Sequence, residues 1–124
     1  MDSNIHKKGF TMAERDEQIK LFNWINQHPL IKDLAFSIPN EGKRSLILGH
    51  LYKRMGLRSG TPDIFIPYPT KTYHGLFIEL KWGRNKATPA QAKFIERLKA
   101  VGYSADVIWG ADAAIDHIIK YLES

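Results

Sequence analysis

Gly75-Leu76-Phe77-Ile78-Glu79-Leu80-Lys81-Trp82 is an apolar run broken only by Glu79 and Lys81. In a β-strand, residues two apart project from one face, so Phe77, Glu79 and Lys81 point the same way. Ionised groups in such a run cost several kcal/mol unless they are paired or hold a metal. Upstream, Asp63-Ile64-Phe65-Ile66-Pro67 reads as a second strand, with Asp63 on the face of Phe65 and Ile64 and Ile66 on the other. Antiparallel pairing that sets Asp63 opposite Glu79 closes the connection from Pro67 to Gly75 without strain. Two carboxylates and an ammonium then meet at one end of a sheet. Facing carboxylates repel unless a cation lies between them, and Mg2+, which takes carboxylate and water oxygens, is suited to that place. There it would activate water and neutralise phosphodiester charge, while Lys81 stabilises or deprotonates the nucleophile. In the ordinary alternative, Glu79 and Lys81 are a solvated strand face and Asp63 sits in a turn after Pro62.

Working outward, the spacing predicts a helix from Thr11 to His28, with Leu21, Phe22 and Ile25 apolar and Pro29 as its stop. A short strand from Leu34 to Ile38 ends at the turn Pro39-Asn40-Glu41-Gly42. Lys43 to Met55 reads as a helix with Ile47, Leu48, Leu51 and Met55 on one side and Gly56 as its end. After the two central strands, Thr88-Pro89 opens a helix to Val101, Ser104 to Trp109 is a strand, and Ala111 to Leu122 is a helix. The fold class is α/β: a mixed sheet flanked by helices, in the order α-β-α-β-β-α-β-α. Residues 1–10 read as a flexible arm, and 11–124 as one domain.

The chain has 124 residues, 44% hydrophobic and 25% charged, as expected of a folded soluble domain. It has no cysteine, so any metal is held by oxygen or imidazole ligands, and no two histidines have metal-ligand spacing. No apolar leader and no membrane-length segment is present, which predicts an intracellular protein. No phosphate-binding G-x-x-x-x-G-K loop occurs, so a nucleotide cofactor is not expected. The net charge is +5, concentrated between Lys43 and Lys99, while the last twenty residues are acidic on balance. That distribution suits a polyanion partner, DNA above all. Lys43 and Arg44, at a helix start, are placed to hold a phosphate; Arg58, Arg84 and Lys86 flank the central strands and suit backbone contacts.

Arg58-Ser59-Gly60-Thr61-Pro62-Asp63, then Glu79-Leu80-Lys81, then Thr88-Pro89-Ala90-Gln91 resembles the VRR-NUC family, the virus-type replication-repair nucleases of the PD-(D/E)xK superfamily. Ile38-Pro39-Asn40, Gly42-Lys43-Arg44 and Gly102-Tyr103 extend the resemblance, which runs from Ala13 onward and is similar to free-standing phage forms. Glu41 departs from it, standing where similar proteins often have a small residue. The resemblance implies a restriction-endonuclease-like fold and phosphodiester hydrolysis dependent on Mg2+ or Mn2+. It implies Asp63 and Glu79 as metal ligands with the Leu80 carbonyl assisting, Lys81 as the catalytic lysine, and Gln91 as the glutamine of the following helix. It also implies a further acid on the first helix, catalytic and a ligand of the metal. On a helical wheel zeroed at Glu14, Leu21 falls at about −20° and Ile25 at about +20°, so Glu14 continues their stripe. Glu17, at about −60°, lies at its edge and is the reserve. Glu14 has an alternative role, favouring the helix N-terminus electrostatically. Gln91 has one too, since Thr88-Pro89-Ala90-Gln91 fits a capping box.

The expected activity is structure-selective cleavage of branched DNA by a homodimer similar to Holliday-junction resolvases, because paired cuts need two active sites and two-fold substrates suit a C2 dimer. If phage-encoded, it would work in the host cytoplasm. The alternatives are a monomeric flap or nicking nuclease, and a non-catalytic DNA-binding module with the same fold.

Overall fold

Alternating residues shape the sheet in the computed structural model, which describes residues 12–39 and 46–124. The strands are β1 (Phe36–Ser37), β2 (Ile64–Ile66), β3 (Leu76–Lys81) and β4 (Ser104–Trp109), in that spatial order. β1–β2 and β2–β3 are antiparallel, and β3–β4 are parallel. The helices are α1 (Met12–Ile25), α2 (Leu46–Arg54), α3 (Pro89–Ala100) and α4 (Ala111–Leu122). The element order is the expected one, and β4 and α4 have the expected bounds. The parallel β3–β4 pair needs a crossover, and α3 supplies it.

Ile64 and Ile66 of β2 and Leu76, Ile78 and Leu80 of β3 form the core with Leu21 and Ile25 of α1 and Ala114 and Ile118 of α4. Those two helices therefore cover one face. Across β2–β3, Ile64 pairs with Ile78 and Phe65 with Phe77. On the second face the Phe65 and Phe77 rings stack, 4.2 Å apart, and Tyr103 meets Phe77 edge-on.

α3 begins as its sequence dictates. Thr88 Oγ1 accepts from Gln91 N (3.2 Å), and Gln91 Oε1 accepts from Thr88 N (2.8 Å). Pro89 fills the first turn, where no N–H is needed. α4 has no such device, because its N-cap is Gly110. Glu17 of α1 caps it instead, its Oε1 accepting from Ala111 N at 2.8 Å.

α2 carries Leu48 and Leu51 on one side, with Met55 just past its end, and all three are exposed (44%, 45% and 66%), so helical periodicity here does not mark a core face. The Ile47 side chain lies outside the described residues, as do residues 1–11, Lys43 and Arg44. No described helix is long and apolar enough to cross a membrane.

Candidate active site

The β2–β3 register, extended one residue, sets Asp63 opposite Glu79. The two carboxyl groups are close enough that the charge of Asp63 acts on Glu79. Asp63 stands just before β2, held at both ends. Its carbonyl accepts from Ile38 N (2.7 Å), and its Oδ2 accepts from Leu80 N (2.9 Å). The side chain thereby stands in for the next ladder bond. Residues 76, 78 and 80 turn their backbone groups towards β2, so the Leu80 carbonyl lies on the same edge, past the end of that strand.

Glu79 is 2% exposed. Its Oε2 receives Lys81 Nζ at 3.3 Å and Gln91 Nε2 at 3.1 Å. Its Oε1 is buried without a hydrogen-bond partner. Burial, then the charge of Asp63, push the Glu79 carboxyl up to about 8, although Lys81 pulls the other way. Burial also raises Asp63, against the Leu80 amide, and the charge of Glu14 adds to the rise. The pair is thus short of positive charge, and a divalent ion would provide it. Oxygen donors, one of them unsatisfied, fit a hard cation.

Gln91 resolves its two readings by serving both. Its carbonyl oxygen completes the capping box while its amide nitrogen donates to Glu79. The cap locks the rotamer that supports the carboxylate. Between the first-helix acids, Glu17 is committed to Ala111, whereas the charge of Glu14 reaches Asp63. Among the described residues no group of three or more acidic or histidine side chains is set to hold a metal. A cation here would rely on two carboxylates, backbone and water, as Mg2+ commonly does.

Sequence reasoning missed Asn85. Its side chain donates to Glu14 Oε1 (3.5 Å), and its carbonyl accepts from the Trp109 indole (2.6 Å), tying the loop after Lys81 to α1 and β4. Glu17 as a cap was also missed; the uncapped Gly110-Ala111 start was its only signal. Arg84 and Lys86 are exposed on the Asn85 loop. Arg58 is exposed on the segment leading to Asp63 and lines a cavity of about 650 Å³ beside the site. In that segment Gly60 has φ +85, and a Cβ there would fall 2.5 Å from the Ala90 backbone, so only glycine lets it pass the start of α3.

The family model for the VRR-NUC domain matches residues 10–112. A solved structure described as a "VRR_NUC domain protein" is 33% identical, with TM-score 0.80 over 92% of this chain and 91% of that one. A search of curated proteins finds no match. The motifs foreseen in the sequence, the sheet that carries them and both likenesses agree: the chain belongs to the VRR-NUC domain family.

Proposed function

We propose that this protein is a metal-dependent endonuclease that hydrolyses phosphodiester bonds in branched DNA. The observation that carries the proposal is the buried Asp63–Glu79 pair with its unpartnered Glu79 Oε1 and the Lys81 ammonium alongside. A non-catalytic DNA binder has no use for such an arrangement, which costs stability.

Asp63, Glu79 and the Leu80 carbonyl would hold Mg2+ or Mn2+, with Glu14 adding negative charge nearby. When bound, the ion supplies Lewis-acid polarisation of the phosphodiester and lowers the pKa of water. The protein does the rest. Gln91 and Lys81 hold Glu79 from two sides, so its free oxygen keeps one direction. Lys81 is only 14% exposed at its side chain, in a low-dielectric setting where its charge offsets that developing on the attacked phosphate. Arg58, Arg84 and Lys86 are exposed at the surface where they can meet flanking phosphates, and Lys43 and Arg44 are proposed for the same task. Contacts of this kind position DNA and read its shape rather than its sequence. Leu51 and Met55, exposed on and after α2, offer apolar surface for self-association as a resolvase-like homodimer.

The test is incubation with synthetic four-way junction, flap and linear duplex, each with Mg2+, Mn2+ or EDTA. Paired symmetric cuts in the junction are expected. Cutting of flaps alone would assign a monomeric flap nuclease, and no metal-dependent cleavage of any substrate would refute the enzyme.

A further inference from the structure

Metal-assisted hydrolysis makes no use of the cavity of about 650 Å³ beside the carboxylate pair. It lies between α2, the 57–61 segment and the start of α3, and its walls are of two kinds. Lys53, Arg58 and Thr61 bring charge and a hydroxyl, while Ile38, Tyr52 and Leu57 bring apolar and aromatic surface. Contacts to a duplex backbone need cations and donors, not an apolar recess. A recess of this volume with both surfaces suits a group that is flat and apolar at one end and anionic at the other, as an unstacked nucleotide is.

Gly49 is an independent sign. It sits within α2, where only proline is a poorer helix former than glycine, and a Cβ built on it meets no atom within 4 Å. Among the described residues no neighbour demands the glycine. Residues 49, 52 and 53 share a face of α2 and line the cavity together with Gly56 just past the helix end, so the missing side chain leaves the recess open. Gln91 is a common wall: it lines the cavity and also donates to Glu79. The recess therefore adjoins the reacting position.

We propose that this cavity binds one unpaired nucleotide of the strand being cut, next to the scissile phosphodiester, with its base in the recess and its phosphate towards Lys53 and Arg58. The proposal rests on the nuclease reading and deepens it. The substrate must present an unstacked nucleotide beside the cut, as a branch point does and an intact duplex does only at the cost of flipping a base.

The test begins without catalysis. Isotopically labelled protein is titrated with dAMP and separately with inorganic phosphate, without metal, reading the amide signals of Gly49, Gly56 and Gly60 by NMR. The expected result is that dAMP shifts them and phosphate at the same concentration does not. Gly49→Leu, filling the recess, should weaken the dAMP response at least tenfold with no fall in melting temperature, while Gly49→Ala keeps most of it. Should Gly49→Leu fail to fold, Leu57→Trp serves as the filler. Equal responses to dAMP and phosphate would reduce the cavity to an anion site and overturn the assignment, and so would silence at all three amides. In cleavage, an abasic residue beside the cut should slow the wild type at least tenfold and leave Gly49→Leu unaffected. A dAMP response without cleavage of any DNA would refute the nuclease while leaving the nucleotide site standing.

Discussion

The two faces of the β2–β3 hairpin are made by alternate residues of the same two strands, yet they obey opposite rules. On one, Ile64, Ile66, Leu76 and Ile78 are completely buried against α1 and α4. On the other, Phe65 stacks on Phe77, and the next rung is the Asp63–Glu79 pair with Lys81 beyond. The first face supplies stability; the second spends part of it on burying ionisable groups. Because both hang on one backbone, the rigidity gained from the apolar face is passed to the carboxylates at no distance. This is how a chain of 124 residues holds a site steady without disulfides.

The comparison breaks most sharply at Lys81. Lys81→Ala should lower metal-dependent cleavage by about 10²–10⁴-fold while the fold survives, measured by initial rates alongside circular dichroism. On the opposite face, Ile78→Ala should cost about 2–5 kcal/mol in urea unfolding and leave metal binding intact in the fraction still folded. Equal stability losses from the two variants would erase the distinction between the faces.

Titration sharpens it. With the Glu79 carboxyl raised from 4.5 to about 8, the folded state keeps a proton that the unfolded state has released between those values. Metal-free stability should therefore fall as pH rises through that window, and Glu79→Gln should flatten the fall, as followed by melting temperature against pH. Mg2+ or Mn2+ should restore stability to the wild type at pH 8 by about 2.7 kcal/mol at a hundredfold excess over Kd, and do nothing for Glu79→Gln.

The smallest effect separates the two acids of α1. Glu17→Ala should cost about 1 kcal/mol, as loss of a helix cap does, with cleavage unchanged. Glu14→Ala should do the reverse, slowing cleavage with little change in the unfolding midpoint.

Strand alternation and helix stops made the hairpin, its register and the Asp63–Glu79–Lys81 trio legible, because a period of two and a charge inside an apolar run are local facts. The Thr88–Gln91 capping box was equally local. α2 shows the limit of such local facts: helical spacing of leucines tells which residues share a side, not whether anything covers it.

What the sequence determined by itself is the order of elements, the face each strand residue takes, and the residue types at the site. Tertiary structure alone decided that Glu17 caps a distant helix and Glu14 does not, that Gln91 supports Glu79 while capping α3, and that a cavity opens beside Gly49. Each of these depends on which segments meet across a dozen residues or more, and contacts of that range leave no period in the chain.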